Sequence, residues 1–203
     1  RVRGSVLNIQ NALLGLGALR FGQEAVGAAS EFEAALGQVK IVAGDSGKSI
    51  EELRGFLVDL SKTTPVGLVD LTKSLGDAIG KLPKGANQAA TAIDALNAAQ
   101  AAARASGSSA GQVLDGIIPI LNTYGKTGIT AAEITDKLFA AFDQGGATVP
   151  ELSASLGQVT GIASQFGISI DELLGSIAVL TRGGQTASEA ITNLRQALIS
   201  TVR

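Results

Sequence analysis

The chain has 203 residues, of which 45% are hydrophobic but only 3% aromatic, and 16 basic residues stand against 18 acidic ones. It contains no His, Cys, Met or Trp, so zinc sites built from His or Cys and Ser–His or Cys–His catalytic relays are excluded. The charges are mixed along the chain without a basic patch, which argues against specific nucleic-acid binding. We therefore expect a protein that is not an enzyme and that needs no metal or cofactor. Because the chain begins with Arg-Val-Arg rather than Met, we expect it to be a fragment of a longer protein.

The first segment, residues 1–44, is predicted to be one long helix with a continuous apolar seam. Apolar side chains recur in steps of four and three residues over about four heptads, which is the pattern of a helix that packs along another helix. The seam positions are Leu14, Ala18, Phe21, Ala25, Ala28, Phe32, Ala35, Val39 and Val42. Heptad spacing does not identify the partner, so the seam either packs on its own domain or mediates self-association. Its candidate contact residues are Leu14, Phe21, Phe32, Val39 and Val42.

Residues 45–203 are predicted to form a core module of helical hairpins. Capping boxes mark helix starts at Ser49…Glu52, Thr130…Glu133, Ser169…Glu172 and Thr186…Glu189, and Thr148 with Pro150 and Glu151 marks another start. The expected helices cover residues 49–63, 67–82, 87–106, 109–124, 130–144, 149–166, 169–182 and 186–201. Since most links are short, the predicted fold is all-α, with stacked antiparallel hairpins behind a long N-terminal helix. Pro119 is expected to kink or divide the helix at 109–124.

An internal repeat supports the prediction of stacked hairpins. Residues 32–57 align without gaps on residues 152–177, and each copy contains a helix, a glycine stop, a capping box and a second helix. A looser third version runs from Leu121 to Ile134. Stacked hairpins of this kind can form a solenoid-like array, although no strict short period identifies a named repeat class.

Two features resemble catalytic or phosphate-binding elements only superficially. The acidic pairs Glu51–Glu52 and Asp171–Glu172 lie in the first turns of capped helices, where negative charge complements the helix dipole. The segment 44–49 resembles the end of a phosphate-binding loop, but Val42 stands where that pattern requires Gly, and a helix rather than a strand precedes it. We interpret the acidic pairs as part of helix starts and the segment 44–49 as a turn between helices.

The ordered set of these helix-stop segments resembles the core region of phage tail tape-measure proteins. Three stretches carry the resemblance, namely 31–36 with the turn at 47–53 and the break at 64–66, then 98–107 running on to 121–125, and finally 148–152 through 167–174 to 183–184 and 192–198. It covers nearly the whole chain from about residue 25 onward. The segment 82–87, Leu-Pro-Lys-Gly-Ala-Asn, departs from the family because a glycine-centred turn without Pro is expected there.

The resemblance implies a structural virion protein that fills the tail tube during assembly, sets tail length and is released at genome ejection. Such proteins associate as a homo-oligomer of a few copies and contact the tail tube protein, tail-tip or baseplate proteins and assembly chaperones. The implied location is the tail tube lumen of the virion, after assembly in the host cytoplasm. No catalytic residue carries over, and any membrane contact is expected from parts of the parent chain outside these residues.

Two other classes remain open from the sequence. A helical scaffold or solenoid binding module unrelated to tails predicts a monomer with one concave apolar groove. A membrane-active helical protein predicts liposome binding through segments such as 152–166, which carries no charge. Its Ser, Thr and Gln side chains, however, favour an amphipathic helix over a membrane span.

Overall fold

The computed structural model describes residues 22–44 and 47–201, and it confirms the all-α prediction, because no strand occurs in these two ranges. The helices are α1 (Gly22–Ala43), α2 (Ile50–Thr63), α3 (Leu68–Lys81), α4 (Gln88–Ser106), α5 (Ala110–Tyr124), α6 (Ala131–Gly145), α7 (Val149–Gln165), α8 (Ile170–Arg182) and α9 (Ala187–Ser200). A short 3-10 turn, Gly125–Thr127, follows α5.

One local device starts six of these helices. A Ser or Thr side chain accepts a hydrogen bond from the backbone N–H three residues later, and the Glu or Gln at that position accepts one from the N–H of the capping residue. The pairs are Ser49–Glu52, Ser109–Gln112, Thr130–Glu133, Thr148–Glu151, Ser169–Glu172 and Thr186–Glu189. Two residues before each cap stands a glycine with φ between 68° and 97°, a conformation that other residues rarely adopt.

The stack is built mainly from contacts between helices two apart along the chain. The most extensive of these contacts join α5 to α7, α1 to α3, α7 to α9 and α6 to α8, while α4 packs on α3, α5 and α6. Consecutive helices also touch, but most do so over smaller areas. Each hairpin therefore gains its core from the next hairpin, as expected for a stacked array.

Small residues let the helices of the stack approach closely. A Cβ atom on Gly116 of α5 would lie 2.6 Å from the Oγ of Ser153 and 3.2 Å from its Cα in α7. One turn further along the same interface, a Cβ on Gly157 would lie 3.5 Å from the Pro119 ring. Pro119 lies inside α5 without dividing it, so of the two predicted outcomes, a kink or a division, the division does not occur.

The atypical 82–87 segment is closed by a buried amide. The Nε2 of Gln88 donates to the carbonyl oxygens of Ile79 at 2.6 Å and Leu82 at 3.1 Å, at the end of α3 where carbonyl groups lack partners within the helix. Leu82 itself is 6% exposed. The Pro-containing link is thereby fixed to the core from both sides.

The structure gives the two repeat copies the same buried positions. Leu36, Val39 and Ala43 of α1 are buried, and so are their counterparts Leu156, Val159 and Ala163 of α7. The same holds for Leu53 and Leu57 of α2 against Leu173 and Ile177 of α8. The α1–α3 contact likewise corresponds to the α7–α9 contact, so the repeat extends to a unit of three helices.

Candidate functional site

The seam of α1 divides between buried and exposed positions. Phe32, Ala35 and Val39 are 2%, 8% and 2% exposed, whereas Val42 is 43% exposed and Ala28 is also exposed. The seam residues Leu14 and Phe21 lie outside the described residues. Within the described part of α1, the structure therefore brings Phe32 and Val39 together in the core and leaves Val42 at its edge.

The departure at Val42 follows from helix geometry. The buried stripe runs through Phe32, Leu36, Val39 and Ala43, so it returns to the same side after eleven residues. That spacing corresponds to about 3.67 residues per turn, whereas a heptad repeat assumes 3.5. A straight α-helix drifts by about 20° per heptad relative to that repeat, so heptad positions rotate away from the core along α1, and Val42 lies at its edge.

The partner of the buried stripe is α3, which approaches through two glycines. A Cβ on Gly76 would lie 3.2 Å from a methyl carbon of Val39, and one on Gly80 would lie 3.4 Å from a methyl carbon of Val42. Beside this contact lies an open groove of about 350 Å³. Its walls are Ala35, Gln38, Val39 and Val42 from α1 and Lys73, Gly76, Asp77, Gly80 and Lys81 from α3.

An ion pair holds α2 to the other side of α1. The guanidinium of Arg54 makes two hydrogen bonds to the Glu33 carboxylate, one of them at 2.7 Å, and lies 5.7 Å from the centre of the Phe32 ring. The hydrogen bond to Glu33 raises the pKa of Arg54 above its ordinary value, and partial burial opposes that shift. This bidentate pair fixes the orientation of α2 on α1.

The sequence pattern missed one exposed apolar residue next to the seam. Ile41 is 82% exposed, although it adjoins Val42 and the groove. No periodic signal distinguishes it, because it stands between Lys40 and Val42 and its side is decided only by the packing of α1 on α3. Ile41 and Val42 together form an apolar edge of α1 beside the groove.

Of the carboxylates considered for chemistry, Glu52 and Glu172 serve as helix caps. Hydrogen bonds from the backbone N–H and hydroxyl of Ser49, together with the Lys48 ammonium, lower the pKa of Glu52 to about 2. In the other boxes, the backbone N–H and the hydroxyl of each capping residue lower the pKa of the Glu three positions later, which is Glu133, Glu151, Glu172 or Glu189. Among residues 22–44 and 47–201, no three His, Cys, Asp or Glu side chains gather in a metal-binding arrangement.

Tyr124 has a structural contact. Its hydroxyl donates to the Ile168 carbonyl oxygen at 2.8 Å, and burial raises the pKa of the phenol, with a smaller contribution from the charge of Glu172. The ring thereby ties the end of α5 to the link before α8. None of the helices described here combines the length and apolarity that crossing a bilayer demands.

Comparison with known proteins identifies the family to which these helices belong. Residues 57–202 match the family model described as phage-related minor tail protein. A tape measure protein of Pneumococcus phage Dp-1 is 22% identical over 200 residues, which are 94% of this chain and 17% of that protein. A probable tape measure protein of Clostridium phage phiCD119 is 26% identical over 147 residues, which are 72% of this chain and 16% of that protein.

The chain thus spans about one sixth of the length of the curated relatives that it matches. No solved structure matches it. Because the family model covers the second half of α2 and all of α3 to α9, the match rests on most of the helical stack rather than on one motif. The chain belongs to the phage-related minor tail protein family.

Proposed function

We propose that this chain is a core segment of a tail tape-measure protein, which fills the tail tube during assembly, sets tail length and leaves the tube at genome ejection. The observation that carries the proposal is the alignment of two tape measure proteins along 94% and 72% of the chain. The proposed location is the lumen of the tail tube. In this role the segment has no catalytic function.

The folded architecture supports a specific proposal for how this segment relates to tail length. A continuous helix of this many residues would span about 300 Å at 1.5 Å per residue. Instead, the chain between Gly22 and Ser200 reverses at capped glycine links and stacks its helices side by side. The segment therefore acts as a compact module, and the length-setting part of the parent protein lies in helices outside it.

The proposed partners are a few further copies of the same chain, the tail tube protein, tail-tip or baseplate proteins and assembly chaperones. The apolar edge formed by Ile41 and Val42 supports self-association, since Val42 is the last position of the seam that includes Leu14 and Phe21 and Ile41 is its exposed neighbour. Isolated exposed apolar residues are common on protein surfaces, but adjacent ones along a seam favour a contact.

Tail length in the parent phage tests the ruler role. Deleting residues 131–169 joins Thr130 directly to Ile170 and keeps a capping box with Glu172. A continuous ruler would shorten by about 58 Å on this deletion, at 1.5 Å per residue. We expect a much smaller change, and the full change of about 58 Å on deleting a helical stretch of equal length outside this segment.

The outcomes separate the candidate functions. Tails of wild-type length after the outside deletion would remove the length-setting role and favour the helical scaffold instead. Tails shortened by the full amount after deletion of 131–169 would show that this segment is extended in the tube. Electron microscopy of purified tails supplies both measurements.

Self-association needs its own test. Phe21→Asp combined with Ile41→Asp introduces charge on the seam and on the apolar edge, without touching the buried residues Phe32 and Val39. We expect a lower mass by light scattering at an unchanged helix content. Val179→Asp is the matched control, because Val179 is 70% exposed and lies on α8. An unchanged mass in the double variant contradicts the seam as an interface.

A further inference from the structure

Helix α2 has one flank that the described helices cover only in part. Its fully buried side chains are Leu53 and Leu57, which point into the core. The flank beside them consists of Ile50, Arg54, Val58 and Ser61, all of which are half-buried. Two of these four side chains are large and aliphatic, so the flank is suited to a further helix.

The repeat shows what covers the same flank in the second copy. Ile170, Leu174 and Ala178 of α8 align with Ile50, Arg54 and Val58, and they are only 6%, 3% and 5% exposed. Helix α6 covers these three side chains. Its Gly145 lies so close to α8 that a Cβ atom on Gly145 would be 3.0 Å from the Cα of Ala178.

Polar contacts fix α6 in that place. Lys137 pairs with Asp171, and the Nε of Arg182 donates to the carbonyl oxygen of Gln144 at 3.0 Å. The helix that covers α8 is also the one that directly precedes α7 in the chain. Since α7 corresponds to α1, the topological counterpart of α6 is the segment that directly precedes α1.

We propose that the flank of α2 is a docking surface for residues 6–16 of this same chain. In that segment Val6, Ile9, Leu13 and Leu16 recur in steps of three and four residues. On a helix this stripe would face a different side from the seam that starts at Leu14, because the neighbouring positions Leu13 and Leu14 are about 100° apart around the helix axis. Gly15 and Gly17 lie at the end of this segment, and glycine favours the chain reversal that docking on α2 requires.

The charges on the flank of α2 and the length of chain before Gly22 both allow residues 6–16 to dock there. The Arg54 guanidinium on the flank is already neutralised by Glu33, so an apolar segment placed over it does not bury an unpaired charge. Glu33 lies about 16 Å along α1 from Gly22, at 1.5 Å per residue. The 21 residues before Gly22 therefore extend far enough to return along α2.

Cysteine cross-linking tests the docking, since the chain has no Cys of its own. The test pair is Gln10→Cys with Ser61→Cys, treated with a short bismaleimide in the otherwise unchanged chain. Gln144→Cys with Arg182→Cys is the positive control, because those residues are in contact. Gln10→Cys with Val179→Cys is the negative control.

We expect the test pair to cross-link within one chain, as the positive control does. A cross-linked dimer would overturn the proposal, since the occupant would then come from a second copy. No cross-link in the test pair, with a cross-link in the positive control, would overturn it as well.

A second measurement does not depend on cross-linker geometry. Removing residues 1–17 should increase the rate at which Ser61→Cys reacts with a maleimide by about tenfold, and leave the rate at Val179→Cys unchanged. Equal rates at Ser61→Cys with and without residues 1–17 would show that the segment does not cover α2.

Discussion

The crossing of α5 and α7 offers the sharpest test of how this stack is held together. At this crossing Gly116 faces Ser153, and a Cβ on Gly116 would lie 3.1 Å from the Ser153 Cβ and 3.2 Å from its Cα. The Ser153 hydroxyl can rotate away, but the Cα and Cβ belong to the helix itself. Gly116→Val therefore requires the two helices to separate.

Two opposing effects set the size of the change. Val is a better helix former than Gly by about 0.3 to 0.4 kcal/mol, which favours the variant. Overpacking of a close interface costs about 1 to 3 kcal/mol, because neighbouring side chains and backbone must shift. We expect a net loss of about 2 kcal/mol, which corresponds to a melting temperature about 4 to 8 °C lower in a domain of this size.

Gly161→Val is the matched control, because Gly161 lies in α7 with no atom within 4 Å of its built Cβ. Urea denaturation followed by circular dichroism should place this control within about 0.5 kcal/mol of the wild type. Adding Ser153→Gly to Gly116→Val should recover much of the loss. Equal stability of the two Val variants would refute the close approach of α5 and α7.

Three further predictions concern the links between helices. Ser109→Ala should lower the free energy of unfolding in urea by about 0.5 to 2 kcal/mol, since an amide of the first turn of α5 loses its acceptor. The melting temperature should fall as pH drops from about 5 towards 2, because Glu52, with a pKa of about 2, and the similarly bonded Glu172 stabilise the fold only while ionised. Tyr124→Phe should cost about 1 kcal/mol in urea denaturation, since the hydrogen bond to the Ile168 carbonyl is lost.

The sign of the acid effect follows from the lowered pKa values. A carboxylate whose pKa is lower in the folded than in the unfolded state stabilises the fold above its ordinary value of 4.5, and this contribution disappears as pH falls through the folded value. Glu172→Gln keeps an acceptor for the Ser169 N–H but cannot titrate, so it should flatten the pH profile. A Glu172→Gln variant whose melting temperature keeps the full pH dependence would contradict this role of Glu172. The capping role of Ser109 has its own test, because Asp also accepts a hydrogen bond at a helix start. A Ser109→Asp variant as unstable as Ser109→Ala would contradict that role.

Local signals in the sequence determined where most of the helices begin. Ser49, Thr130, Thr148, Ser169 and Thr186 each have an acidic residue three positions later, and all five form capping boxes. Capping depends on residues within one turn, so the sequence contains all the information it needs. The box at Ser109 was missed, because Gln112 supplies it in place of a carboxylate.

Long-range packing decided what the periodicity left open. The heptad pattern of α1 does not distinguish a domain core from a second chain. Packing on the other helices resolved it, because Phe32 and Val39 are buried and Val39 lies against Gly76 of α3. Val42 then lies at the edge of the core, because heptad positions drift around a straight α-helix, and its neighbour Ile41 is exposed.

The pairing of helices two apart also came only from the tertiary structure. Sequence periodicity identifies the apolar face of each helix, but faces of Ala, Leu, Ile and Val are chemically alike. Which two faces meet depends on where small residues allow close approach, as at Gly116 and Gly145. Fold class was therefore fixed locally by caps and helix propensity, whereas the order of the stack was fixed by shape complementarity between distant segments.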